Sequence, residues 1–207
     1  MKRLAHALIG VGLLIGLAAC NLAPTATAPV PAEAQAPLIP RAVLFGNPER
    51  AQARIAPKGD YISFLAPQDG VLNVWVAPIG ALGEARPITN DTRRGIRSHM
   101  WAGNGTHVLY LQDEGGDENW RLYSVEVATG ARVDLTPLKG VQAQIVGMSP
   151  RQPDAVIVGL NDRDPSWHDI YRIDVKSGKR ALMQRNSERF TGFVADRDNV
   201  LRLATKN

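Results

Sequence analysis

The chain has 207 residues, 44% of them hydrophobic but only 6% aromatic, with 19 Gly and 14 Pro. That turn-rich mix suits a chain of short strands better than a helical one, and the length allows a modest core. The formal charge of +4 falls to +2 once Lys2 and Arg3 are set aside as part of a leader, a bias too weak to imply nucleic acid or an anionic surface as partner.

The leader opens the chain. Lys2-Arg3 is a basic start, Leu4 to Ala19 is almost wholly apolar, and Cys20 is the single cysteine. The apolar run is short for a bilayer span and reads as a secretory signal over residues 1–19. A lone cysteine makes no internal disulfide, so export here does not rest on a cystine framework. L-A-A-C at 17–20 looks like the lipobox of bacterial lipoproteins. The resemblance implies cleavage before Cys20, acylation of its thiol and a lipid bilayer as partner, each chain anchoring with about 0.8 kcal/mol per buried CH₂. Asn21 resembles the second mature residue of lipoproteins sent on to an outer membrane, facing the periplasm. A plain secreted peptide or an uncleaved anchor are the alternatives, with Cys20 then only an apolar residue.

Residues 20–40 are Ala- and Pro-rich, with prolines at 24, 29, 31, 37 and 40 that deny a helix or central strand. They read as an extended tether. Ala42 to Phe45 is expected as a short strand or lead-in, and Asn47 to Arg50 as the step into the first repeat.

From there the chain repeats. W-R-L-Y-S-V-E-V-A-T-G at 120–130 alternates Tyr123, Val125 and Val127 with Ser124 and Glu126, the two-residue period of a half-buried strand, and Gly130 turns the chain back. The device recurs as H-D-I-Y-R-I-D-V-K-S-G at 168–178 and, more loosely, as L-N-V-W-V-A-P-I-G at 72–80, so that Trp75, Tyr123 and Tyr171 are spaced by 48. Each copy follows a polar turn and another strand (Tyr61 to Leu65, His107 to Leu111, Ala155 to Leu160) and precedes a further short one. Four short antiparallel strands every 40–50 residues predict an all-β fold, a partial β-propeller. Its blades are expected at about 53–89, 98–136 and 145–183, with the start of a fourth at 190–207, all within a domain at 41–207. Three blades and a stub are fewer than a closed ring holds, so the chain is expected to be the front part of a longer protein.

Candidate binding residues fall in loops. Arg93, Arg94 and Arg97 in N-D-T-R-R-G-I-R-S-H (90–99) offer guanidinium forks to a carboxylate, or are simply solvated. The loop D-E-G-G-D-E-N-W (113–120) carries carboxylates at 113, 114, 117 and 118. It could hold a cation or a peptide's amino terminus, although the twelve-residue calcium loop is absent and no metal site is expected. Asp117, Glu118 and Trp120 are retained as possible rim residues, Trp120 being equally suited to packing between blades. Ser166, His168 and Asp169 are residue types of a catalytic relay, but adjacency does not make one. His168 is expected to cap its strand, and His99 and His107 lack a zinc spacing.

A-P-K-G-D-Y-I-S-F-L, D-G-V-L-N-V-W-V, G-D-E-N-W-R-L-Y-S-V-E-V-A-T-G and H-D-I-Y-R-I-D-V-K-S-G resemble the amino-terminal propeller of the prolyl oligopeptidase (S9) serine peptidases, particularly the bacterial dipeptidyl-aminopeptidase and acylaminoacyl-peptidase-like members. TolB-like propellers share parts of these motifs. The resemblance, over about residues 41–207, implies a propeller that admits short peptides to a following α/β-hydrolase domain. That domain's serine sits in G-x-S-x-G, and no such motif occurs here. The nearest string, G-M-S-P-R at 147–151, has Arg151 in place of the second glycine, so Ser149 is not expected to be a nucleophile. The chain is therefore expected to lack catalytic residues, cofactors and activity of its own. The other reading is a lipid-anchored module that docks an envelope protein or a peptide without reacting.

Overall fold

The computed structural model describes residues 37–206, and all the strands lie in one unit that begins at Pro40. The leader, Cys20 and nearly all of the tether fall outside the described residues. Among those residues no helix is long and apolar enough to cross a membrane.

Ala42 to Phe45 is a lead-in to the first sheet, not a strand. Arg41–Phe45 is a short helix, α1. Pro40, held at φ −56°, ψ 141°, turns its carbonyl to the amides of Val43 and Leu44, and among the described residues no strand pairs with this segment. Local hydrogen bonding therefore decides the conformation.

Three four-stranded antiparallel sheets follow, each built in chain order. The first holds β1 (Ala51–Ile55), β2 (Tyr61–Gln68), β3 (Val71–Pro78) and β4 (Arg86–Pro87). The second holds β5 (His99–Trp101), β6 (His107–Gln112), β7 (Arg121–Glu126) and β8 (Arg132–Asp134). The third holds β9 (Ala143–Ser149), β10 (Gln152–Asp164), β11 (Trp167–Asp174) and β12 (Arg180–Gln184). A two-stranded sheet, β13 (Gly192–Ala195) with β14 (Leu201–Thr205), ends the described chain. These are propeller blades, the all-β architecture that the spacing implies.

The repeated aromatics occupy one structural position. Trp75, Tyr123 and Tyr171 each lie on the third strand of their sheet, opposite Phe64, Tyr110 and Val158 on the second and opposite Pro87, Asp134 and Leu182 on the fourth. The hairpin after each of the last two is the same. Glu126 Oε2 and Asp174 Oδ1 accept hydrogen bonds from Thr129 Oγ1 and Ser177 Oγ at 2.7 and 2.8 Å. Gly130 and Gly178 follow at φ 74° and 70°, a conformation open to glycine at little steric cost.

The strands bury both faces. Leu65, Val74, Val76, Val108, Tyr110, Val125 and Val127 fill a core between the first and second sheets. Leu109, Leu122, Leu135, Val156, Val158 and Ile173 fill another between the second and third. Alternate residues of β6 and β7 thus enter opposite cores. This corrects the half-buried reading of β7: Ser124 lies on the presumed solvent face yet is 1% exposed, because a third sheet covers it. The β10–β11 ladder continues to Asp164 and Trp167, leaving Pro165 and Ser166 as a two-residue turn.

Candidate functional site

Antiparallel order decides which loops meet. In each sheet the turn from second to third strand lies at the same end as the crossover leaving the fourth strand. The crossover between the first two sheets, residues 88–98, therefore meets the turn 113–120 of the second sheet. Ile96 anchors the crossover: its side chain is 1% exposed and its amide donates to the Leu72 carbonyl at 2.8 Å. Asp91 caps the bend by accepting from the Gly95 amide.

Arg94 joins the two loops. Its Nε lies 3.4 Å from Asp113 Oδ1, whose side chain is almost fully buried, and its guanidinium lies across Gly116. A Cβ there would sit 2.6 Å from Arg94 Nη1, and Gly116 holds φ 93°, so the glycine meets a steric and a conformational demand at once. Glu114 reaches Arg121 at 3.0 Å. Asp117 braces its own loop, accepting from the Glu114 and Asn119 amides and from Asn119 Nδ2, each at 3.1 Å. The Asn119 side-chain bond, with the backbone amides, holds the Asp117 carboxyl below its ordinary value.

Between these loops and the strand ends lies a cleft of about 600 Å³. Arg93, Arg94, Arg121 and Arg132 line it, with Asp91, Asp113, Glu114, Asp134 and Tyr123. Arg93 and Arg94, singled out from the sequence, are thus brought together with the 113–121 loop. Asp117, Glu118 and Trp120 are not cleft residues. Glu118 and Trp120 instead offer their carbonyls to Gln142 Nε2 at 3.2 Å and the Ala143 amide at 2.8 Å, tying the loop to the third sheet's approach. Arg97 contributes its carbonyl to Gln52 Nε2 at 2.7 Å and leaves its side chain exposed.

Arg121 and Arg132 were not among the residues picked out from the sequence. The guanidinium of Arg132 stacks 5.1 Å above the Tyr123 ring, which stacks on Tyr110 at 5.2 Å. Burial raises the Tyr110 phenol above its usual pKa, and the nearby Arg132 draws part of that rise back. Arg180 lies 5.6 Å over Tyr171 in the third sheet, so this cation–π contact follows the 48-residue period and was available as a sequence signal.

The residues with catalytic side-chain types are otherwise engaged. Asp169 is clasped by Arg163 through two 2.8 Å bonds and accepts from the Asn186 amide, so it does not orient His168, whose Nε2 is buried without a partner. Ser149 donates to the Arg197 carbonyl, linking the third sheet to the last hairpin. His107 Nδ1 sits 3.2 Å from Asn104 Nδ2 and 3.0 Å from Thr106 Oγ1 in the turn preceding its strand. His99 is buried against Ser63 between the first two sheets.

No protein-family model matches the chain. It is 45% identical over 206 residues to dipeptidyl aminopeptidase BIII of Pseudoxanthomonas mexicana, an alignment covering 98% of this chain and 30% of that protein. The chain is an S9-family-like dipeptidyl-peptidase homologue, corresponding to the amino-terminal propeller-like region. Dipeptidyl peptidase family member 6 of Caenorhabditis elegans is 29% identical over 177 residues, 82% of this chain and 24% of that relative. This S9-like region therefore spans less than a third of either curated relative. Among solved structures, a puromycin-hydrolysing peptidase of Mycobacterium tuberculosis superposes with TM-score 0.51 at 13% identity, over 73% of this chain and 27% of that one, a likeness of fold alone. The β-propeller domain of the trilobed protease of Pyrococcus furiosus matches with TM-score 0.49 at 18% identity, over 72% of this chain and 45% of that domain.

Proposed function

We propose that this chain is the substrate-gating propeller portion of a cell-envelope serine peptidase of the S9 type, supplying no catalytic group itself. The observation that carries the proposal is the 45% identity to a dipeptidyl aminopeptidase across 98% of the chain. The cleft end supports it. Two loops from neighbouring sheets meet there through Arg94, Asp113 and Gly116. A rim of loops can sort peptides by size without touching the reacting bond.

The partners in this reading are short peptides and, through an acylated Cys20, a lipid bilayer, with the propeller on the periplasmic side of an outer membrane. The basic start, apolar run and L-A-A-C string support the anchor. Replacing Cys20 with Ser is expected to move the protein from the membrane fraction to the soluble fraction.

The gating role is tested by exchange. Residues 41–207 replace the matching region of the P. mexicana enzyme, and kcat/KM is measured for dipeptide-releasing substrates of increasing length. Retained cleavage of short substrates, with discrimination against long ones that weakens when 113–119 is shortened, is expected. A chimera whose length preference is indifferent to that loop would refute gating.

A further inference from the structure

Four cations and four carboxylates line the cleft, so its formal charges balance, but its partners do not. The carboxylates are all engaged: Asp113 with Arg94, Glu114 with Arg121, Asp91 with the Gly95 amide, and Asp134 with the Thr136 amide at 2.9 Å. Among the described residues, no carboxylate lies within ion-pair distance of Arg93 or Arg132. Arg93 stands exposed on the crossover, and Arg132 is held from below by the Tyr123 ring. Arg121 lines the same cleft; its Nη2 holds Glu114, and its Nε is buried without an acceptor.

A buried guanidinium N–H without an acceptor is costly, and two further guanidinia facing the same space favour an anion between them. The aromatic support fixes the plane of Arg132 before anything binds, so less side-chain entropy is lost on binding. Arg94 and Arg121 already pair with carboxylates in this cleft, Asp113 and Glu114.

We propose that this cleft is a carboxylate-binding site in which Arg93, Arg121 and Arg132 receive the free carboxylate of a peptide chain, either its carboxy terminus or an acidic side chain. The site stands whether or not the same rim sorts peptides by length.

The full chain, labelled with ¹⁵N, is titrated while the arginine Nε–Hε resonances are followed. The probes are N-acetyl-trialanine with a free carboxy terminus, the same peptide as its amide, the amide of N-acetyl-Ala-Asp-Ala, and inorganic phosphate. Saturable shifts of Arg121 and Arg132 are expected with the two carboxylate-bearing peptides and not with the uncharged amide. The first and third probes distinguish terminus from side chain, and binding of either supports the site. Arg93→Ala, on an exposed loop, is expected to weaken binding by about three-fold or more. Arg132→Gln is expected to weaken it about ten-fold. Lys139→Ala, exposed and outside the cleft, should change nothing. Equal binding of the uncharged amide, phosphate binding as tightly as the carboxylates, no binding of any probe, or indifference to Arg93→Ala would each overturn the proposal. Arg93→Ala keeps the test sound should Arg132→Gln disturb the fold.

Discussion

Ser63 and His99 meet in the core between the first two sheets, Oγ to Nε2 at 2.8 Å, with both side chains shielded from solvent. Ser63 Oγ also reaches the Arg54 carbonyl at 3.4 Å. With the hydroxyl donating there, Nε2–H donates to Ser63 and Nδ1 is left as a bare lone pair, since it has no partner. Burial first, and Arg54 second, lower the His99 pKa from 6.5 to about 4. The folded protein therefore binds this proton less readily than the unfolded chain. Stability is fully present above pH 6.5, is lost as pH falls from there toward 4, and falls no further below that on account of this group. The loss is on the order of 3 kcal/mol. Urea midpoints measured from pH 7 to pH 4 are expected to decline steeply for the native chain and less for His99→Gln. Parallel declines would remove His99 as the cause.

Gly116 is the pivot under Arg94, while its neighbour Gly115, also left-handed at φ 68°, has nothing within 4 Å of where a Cβ would lie. Gly115→Ala should thus cost only backbone strain, about 1–2 kcal/mol. Gly116→Ala adds displacement of Arg94 from Asp113, and is expected to cost more by about 0.5–1 kcal/mol. The excess should shrink in an Asp113→Ala background, where there is no ion pair to disturb. Equal costs of the two substitutions in the native background would show that Arg94 does not depend on the glycine.

Much of this fold was legible because a propeller repeats. The 48-residue spacing of Trp75, Tyr123 and Tyr171 marks one strand position, and the Glu126-Thr129-Gly130 and Asp174-Ser177-Gly178 hairpins carry their own hydrogen bonds in the sequence. What alternation could not disclose is how many sheets a strand touches. Ser124 looks outward by period and by polarity, and only stacking of the third sheet buries it. The cleft was half legible for a similar reason. Arg93 and Arg94 stand out as a charged run, whereas Arg121 and Arg132 enter through strand register, which places both beside Tyr123. Ser63 and His99 are 36 residues apart on different sheets, and no local pattern joins them.

Ser124 is a test of that stacking. Its Oγ is buried with no hydrogen-bond partner, opposite Val133 and on the face of β7 shared with Leu122. Removing an unsatisfied hydroxyl takes away a desolvation cost and leaves little void. Ser124→Ala is expected to raise stability by about 0.5–1 kcal/mol in urea denaturation. A loss of stability would mean that the hydroxyl has a partner, a buried water included.

Leu122 and Val125 make the complementary case, since each is 0% exposed but they occupy different cores. Leu122→Ala is expected to cost about 2–5 kcal/mol, as at any fully buried leucine. An outward-facing β7 would predict under 1 kcal/mol at one of the two faces. Combining Leu122→Ala with Val125→Ala reports on the same question, because separate cores should give nearly additive losses.

The Arg163–Asp169 pair is where charge and burial most directly oppose each other. Asp169 has a side chain 2% exposed, and Arg163, at 37%, reaches it from the protein's surface. Arg163→Met leaves the carboxylate with the Asn186 amide as its remaining partner. Loss of the partner of a buried carboxylate destabilises the fold, and the exposure of Arg163 to solvent moderates the loss here. Asp169→Asn in the same chain removes the stranded charge while its carbonyl can still accept from Asn186, so the double variant is expected to be more stable than Arg163→Met alone. The pH dependence follows from the direction of the Asp169 pKa, which the Arg163 bond lowers from its ordinary value. The pair's contribution is present above the unfolded carboxyl range near pH 4 and fades as pH falls through the lower folded value. The Arg163→Met deficit should shrink over that same interval, because a protonated Asp169 has no charge left to strand. A deficit that stays constant down to acid pH would mean that Arg163 acts through packing of its stem rather than through its charge.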